Sequence, residues 1–173
     1  MELVKTKLDG VYIVEPKVYG DNRGWFMETY SEKAFKDAGI DVTFVQDNHS
    51  YSAQKGVLRG LHFQLNPMSQ AKLLRVLRGT LLDVVVDIRK GSPTYGQWIS
   101  VELSADNKKE IFMPRGMAHG FVTLTDDVEV HYKVDNLYAP KLESGIIYND
   151  PDLKVDWGTD KVILSAKDTV LPT

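Results

Sequence analysis

The chain has 173 residues, 43 % hydrophobic and 26 % charged, with 21 basic against 24 acidic side chains for a net charge of −3. That is the composition of a globular protein of about one domain, which excludes a disordered, fibrous or disulfide-stapled chain. No cysteine is present, so thiol nucleophiles and thiolate metal sites are excluded, and the slightly acidic balance does not suit a general binder of nucleic acid or anionic membrane.

The amino terminus, MELVKTKLDG, lacks the apolar core of a signal peptide. No run of about 18 apolar residues follows, so a cytoplasmic location without a membrane partner is expected. Period-two alternation predicts strands over Val11–Glu15, Trp25–Tyr30, Val57–Gln64, Lys72–Leu77, Thr80–Ile88, Trp98–Leu103, Glu110–Met113, Gly120–Leu124 and Val128–Val134. Turn-forming clusters such as Asn66-Pro67, Arg78-Gly79 and Thr125-Asp126-Asp127 separate them. One helix is predicted between an N-cap at Ser31 and a stop at Gly39, with Ala34, Phe35 and Ala38 as its apolar stripe. No linker or repeat divides the chain, so residues 1–173 read as one all-β domain, a sandwich or barrel with a few short helices.

Strand parity narrows the search for a site. In Val128–Val134 the apolar face carries Val128, Val130 and Val134, so Tyr132 is expected to point inward and His131 outward. By the same rule Lys72 joins Leu74 and Val76, His62 joins Leu58, Gly60 and Gln64, and Asp83 joins Leu81 and Val85. Ionisable groups on several inward faces suggest a binding cavity, because a buried charge is costly unless it is paired or used. On its own segment, His62 reads as a general base or as a core histidine satisfied by a carbonyl. The loop DIRKGSPTYGQW reads as a hairpin connection with a solvated charge pair. Simple alternation sends Arg59 to the face opposite His62, unless Gly60 marks a bulge or the arginine reaches in from the rim.

The run MPRGMAHGF contains Pro-x-Gly-x-x-His, which resembles the second metal motif of cupin barrels, the small jelly rolls also described as double-stranded β-helices. The first cupin motif requires a His-x-His pair. Here the corresponding run is His62-Phe63-Gln64, which leaves only His62 and His119 for a metal that usually needs three protein ligands. No metal site is therefore expected.

The strings EPKVYGDNRGWFMET, FVQDNHS, GVLRGLHFQ, QAKLLRV, DVVVDIRKGSPTYGQW, LSADN, PRGMAHGF, GIIYNDP and LSAKD occur in that order. Together they resemble the dTDP-4-dehydrorhamnose 3,5-epimerase family over almost the whole chain. The resemblance implies a cupin-type jelly roll, a homodimer, no cofactor and no metal. It also implies a nucleotide-sugar substrate, dTDP-4-dehydro-6-deoxy-D-glucose, epimerised at C3 and C5 on either side of its C4 ketone. By that resemblance His62 is the base, Asp168 its carboxylate partner, Lys72 the enolate stabiliser and Tyr132 the acid on the opposite face. Arg23, Phe26, Glu28, Gln46, Asp47, Asn48, Arg59, His119, Glu143 and Lys167 match positions around the substrate. Arg59 and Lys167 suit the diphosphate, and Phe26 and Tyr138 are plausible neighbours of thymine. Exchange of amino-terminal strands between subunits would take Arg23 and Glu28 to the neighbour's site. The alternatives are a single-centre epimerase of a related dTDP-4-keto sugar, a metal-dependent cupin and a non-catalytic nucleotide-sugar binder.

Overall fold

A computed structural model describes residues 1–173. Its strands are β1 (Glu2–Lys5), β2 (Tyr12–Glu15), β3 (Val18–Asp21), β4 (Gly24–Met27), β5 (Gln46–Ser52), β6 (Leu58–Gln64), β7 (Lys72–Arg78), β8 (Thr80–Asp87), β9 (Trp98–Ser104), β10 (Glu110–Met113), β11 (Met117–Thr123), β12 (Val128–Val134) and β13 (Glu143–Gly145). A single α-helix, α1, spans Glu32–Asp37, and short 3-10 turns occupy Pro140–Leu142 and Asp168–Val170. The first sheet runs β1-β2-β10-β7-β12-β5 and the second β13-β6-β11-β8-β9, with β3 and β4 forming a separate hairpin. All named strand pairs are antiparallel. Two facing antiparallel sheets of this kind make the jelly roll.

The hydrophobic pattern explains the layering. Between the sheets, Leu74 and Val76 of β7, Ile111 and Met113 of β10, and Val128 and Val130 of β12 meet Leu81 and Val85 of β8 and Phe121 of β11. The outer face of the second sheet buries Leu61, Val84, Val86, Ala118 and Val122 beneath Trp157 of the carboxy-terminal segment. Strands β8 and β11 are thus covered on both sides, which is why they read as continuous apolar runs. The outer face of the first sheet buries Val14, Leu73 and Phe112 beneath Phe35 of α1. The helix is as expected: Ser31 Oγ accepts a hydrogen bond from the Ala34 N–H, and Gly39 takes a φ of +88° just beyond the last turn. Burying Phe35 against the sheet contributes about 2–3 kcal/mol.

Several expectations change. The strand expected over Trp25–Tyr30 ends at Met27, and the one expected to start at Gly120 begins at Met117. Strands β1, β3, β5 and β13 were not expected. The loop after β8 does not carry a solvated charge pair. Asp87 is fully buried and accepts hydrogen bonds from Arg89, Ser92 and Thr94. Burial raises the Asp87 carboxyl, but these hydrogen bonds outweigh it and hold the group well below the usual carboxylate range.

The simple parity of β6 also fails. His62 pairs with His119 and Arg59 with Phe121, so Gly60 and Leu61 together oppose Gly120 alone. This one-residue bulge turns Leu58 and Leu61 outward and brings Arg59 and His62 to the same side. The crossing requires glycine at both positions. Gly60 has a φ of +133°, and a Cβ on it would stand 2.6 Å from the Gly120 Cα. A Cβ on Gly120 would stand 2.7 Å from the Arg59 carbonyl oxygen.

Candidate active site

A cavity of about 480 Å³ opens between the two sheets at one end of the barrel, a size suited to part of a small organic ligand. The second sheet supplies one wall with Arg59 and His62 from β6 and His119 from β11. The first sheet supplies the other with Lys72 and Leu74 from β7, Tyr132 from β12 and Ser50 from β5. The carboxy-terminal run Ile163–Asp168 closes the side, held by the Leu58 N–H donating to the Ile163 carbonyl.

The His62 Nε2 lies 2.6 Å from Asp168 Oδ1, and the other carboxylate oxygen of Asp168 accepts from the Gly60 N–H. Asp168 is buried at 2 % exposure, so its geometry is tightly held. A carboxylate only accepts, so the neutral imidazole carries its proton on Nε2 and keeps its basic lone pair on Nδ1. A second histidine–carboxylate pair stands on the same wall: His119 Nε2 is 2.7 Å from Asp83 Oδ1. The expected inward position of Asp83 holds, and its hydrogen-bonded partner is His119. Each imidazole therefore directs Nε2 at its own carboxylate, and no three His, Asp or Glu side chains gather as a metal would require.

The opposite wall carries the cation and the phenol. Lys72 Nζ lies 5.8 Å from the centre of the Tyr132 ring and makes no salt bridge. Burial lowers the Lys72 ammonium from 10.5 to about 8, with the Asp83 and Glu143 charges acting to raise it. Burial raises the Tyr132 phenol, while a hydrogen bond with Asn48 and the charge of Arg59 act the other way. The phenol is neutral at neutral pH and can give up a proton to a stronger base.

The mouth is polar. Glu143 accepts from Lys167 and from the Tyr138 hydroxyl. Burial raises the Glu143 carboxyl, but these two hydrogen bonds prevail and lower it. Arg59 donates to Ser52 Oγ and to the Tyr51 carbonyl. Gln46 donates to Asn48 Oδ1 and accepts from the Tyr138 N–H. Between these two amides Asp47 points to the other face of β5, where it meets Lys133 at 3.1 Å and His131 at 3.6 Å.

Of the residues singled out in the sequence, this cavity gathers His62, Tyr132, Lys72, Asp168, Arg59, His119 and Lys167. Glu143, Gln46 and Asn48 stand in the hydrogen-bonded rim. Arg23, Phe26 and Glu28 are not in it. Arg23 pairs with Asp21 inside the β3–β4 hairpin, and Phe26 is 71 % exposed. Ser50 was missed, because its polar strand carries no hydrophobic alternation.

Residues 5–173 match the family model described as dTDP-4-dehydrorhamnose 3,5-epimerase. The chain is 50 % identical to the dTDP-4-dehydrorhamnose 3,5-epimerase of Shigella flexneri, over 97 % of its own length and 93 % of the relative's. It is similar to the crystal structure of the Bacillus anthracis epimerase with TDP and PPi bound, with a TM-score of 0.97, 46 % identity and coverage of 99 % and 98 % of the two chains. It is also similar to the Legionella pneumophila epimerase in complex with dTDP-4-keto-L-rhamnose, with a TM-score of 0.94, 47 % identity and coverage of 99 % and 91 %.

Proposed function

The chain belongs to the dTDP-4-dehydrorhamnose 3,5-epimerase family, and from that membership we propose how its cavity carries the reaction. The enzyme converts dTDP-4-dehydro-6-deoxy-D-glucose to dTDP-4-dehydro-L-rhamnose. Both centres adjoin the C4 ketone, so each C–H proton is acidified by the enolate its loss creates. His62 takes the proton, and the electron pair of the C–H bond moves into the enolate, leaving negative charge on the C4 oxygen. Lys72 stabilises that charge. Tyr132 returns a proton to C5 from the opposite face, which inverts the centre and restores the ketone. At C3 the proton returns to the opposite face from solvent, so one proton leaves and one arrives at each centre and the balance needs no electron acceptor and no cofactor.

The observation that carries this reading is the separation of base and acid. The His62–Asp168 pair and the Tyr132 hydroxyl stand on facing walls of one cavity, as an inversion demands. Asp168 orients the imidazole and favours the imidazolium that forms. Arg59 and Lys167 suit the diphosphate, and Gln46, Asn48 and Glu143 the rest of the nucleotide. Asp47 contributes through its backbone, since its side chain is engaged with Lys133. His119 contacts the sugar.

Residues 1–173 act as one domain and as a homodimer in the cytoplasm. Support for the dimer is the hairpin, whose Tyr19, Trp25 and Phe26 are more than half exposed in the isolated chain. Such a patch suits an interface. Arg23, Phe26 and Glu28 reach the neighbour's cavity from it.

The test is proton NMR of the substrate incubated with the enzyme in D₂O. Deuterium entering at both C3 and C5 is the expected result. Entry at one centre alone would replace the reading with a single-centre epimerase, and no entry with dTDP still bound would leave a binding protein. His62→Asn is expected to lower exchange at both centres by about 10²–10⁴-fold without weakening dTDP binding.

A further inference from the structure

Gln64 ends β6 just beyond His62, at the place where the cupin pattern would carry its second histidine. It is buried, and its amide is fully bonded. Nε2 donates to the Met68 carbonyl at 2.7 Å and to the Leu137 carbonyl at 3.2 Å, and Oε1 accepts from the Ala139 N–H at 2.8 Å. The last two bonds fall on either side of Tyr138. From there the Tyr138 hydroxyl reaches Glu143 at 2.8 Å, and Glu143 stands opposite Gln64 in the pairing of β6 with β13. A closed ring therefore runs from the Gln64 amide through the strap 137–139 and the phenol to β13, and back to β6. Glu143 also accepts from Lys167, which lines the cavity. We propose that Gln64 is a positioning residue: its amide seats Tyr138 at the cavity mouth, where the tyrosine ring flanks the nucleotide of the substrate. The inference rests on the reading that the nucleotide lies at this rim, among Gln46, Asn48 and Glu143.

The strap has little else to fix it. It belongs to no strand, and both Leu137 and Tyr138 are more than half exposed, so packing holds them weakly. Gln46 Oε1 accepts from the Tyr138 N–H at 3.3 Å, and Gln70 Nε2 donates to the Asn136 carbonyl at 2.8 Å. Of these three glutamines Gln64 alone is buried, and it alone bonds the strap 137–139 twice. Hydrogen bonds shielded from water are the ones able to hold a short exposed segment in one conformation. The residue type also fits the task. Two carbonyls to be met by donors and one N–H to be met by an acceptor are the complement of a primary amide. A carboxylate would offer the carbonyls no donor, and an imidazole has two ring nitrogens for three partners. Through Met68 the same amide grips the segment that leads into β7 and Lys72.

The experiment is a double-mutant cycle on the affinity for dTDP, read by calorimetry, with kcat and KM measured alongside. Tyr138→Ala is expected to weaken dTDP binding by about 10–100-fold, the effect of deleting an aromatic side chain against a base. Gln64→Leu keeps the bulk and removes all three bonds, and a loss of about tenfold is expected from it. Its KM should rise by the same factor while kcat stays near the wild-type value, because only binding is disturbed. In the double variant the losses should not add, and the Kd should match that of Tyr138→Ala within about twofold. Additive losses, unchanged affinity in Tyr138→Ala, or a fall in kcat at unchanged Kd in Gln64→Leu would overturn the proposal. Should Gln64→Leu not fold, Gln64→Glu takes its place in the cycle, since it keeps the acceptor for the Ala139 N–H and loses both donations. Weaker dTDP binding that again fails to add is then expected, and wild-type affinity would overturn the proposal. A non-additive cycle in an enzyme that exchanges neither the C3 nor the C5 proton would uphold the role of Gln64 and refute the reaction instead.

Discussion

Replacing Lys72 by methionine should make the protein more stable while removing its activity. Methionine keeps the length of the side chain and discards the ammonium. The charge is held in a cavity that lowers it from 10.5 to about 8. At about 1.4 kcal/mol per pH unit that drop amounts to about 3 kcal/mol, a figure that already contains the attraction of Asp83 and Glu143. Water in the cavity mouth screens part of it, so about 2–3 kcal/mol is the expected gain at pH 7. The sign follows from proton binding. Between pH 8 and 10.5 the unfolded chain holds this proton and the folded chain has released it, so wild-type stability from this group rises with pH. The cost is fully present below the folded midpoint and fades above it. Urea denaturation of wild type and Lys72→Met at pH 7 and pH 9.5 reads the effect as a difference, which cancels the other titrating groups. A gain at pH 7 that shrinks at pH 9.5 is expected. A variant no more stable than wild type at pH 7, or a gap that does not narrow, would refute the claim that the fold holds this lysine against an electrostatic cost.

Three further outcomes are expected. Gly60→Ala should destabilise the fold by about 1–3 kcal/mol or more, because its Cβ would overlap the Gly120 backbone; thermal unfolding measures it, and an unchanged Tm would contradict the crossing described. Asp87→Ala should cost about 3–5 kcal/mol by leaving Arg89 without its buried partner. The Asp87 carboxyl is held low when folded, so its contribution is complete above the usual carboxylate range and is lost on acidification. The gap between wild type and variant in urea should accordingly narrow from pH 5 toward pH 2. Tyr132→Phe should slow inversion at C5 more than it slows washout of the C5 proton into D₂O, and an unchanged product distribution would remove the phenol as the acid.

How far the sequence discloses this molecule depends on whether each element had an apolar face to advertise. Strand β12 alternates Val128, Val130, Tyr132 and Val134 against polar residues, and the buried face is the expected one. Helix α1 shows its cap, its single buried Phe35 and its glycine stop within a few positions. Strand β5, by contrast, reads QDNHSYS. One of its faces lines a polar rim and the other meets the ion pairs of β12, so hydrophobicity alternates on neither. Strands β1 and β3 are short, with little buried surface to pattern. Within the site, Lys72 and Tyr132 are legible from parity because their strands pair in unbroken register from Val130–Val76 to Val134–Lys72. Arg59 is not, because the bulge at Gly60 resets the count of faces. Asp168 is legible only through family resemblance, since it arrives on an irregular segment 106 residues away in sequence from the histidine it contacts.

The Gly60–Gly120 crossing also supplies a rule for reading other chains of this type. Two short strings, GLH and HGF, lie far apart in the sequence and show nothing in common when inspected separately. They are one physical object, since each glycine is required by the backbone of the other. Substitution at either position should therefore not be tolerated independently, and compensation by a second change there is sterically barred. A relative that keeps the histidine of the first string but loses the glycine of the second would be expected to straighten its strand. Its arginine and histidine would then face opposite ways, and overall sequence identity, however high, would overstate how much of the chemistry it shares.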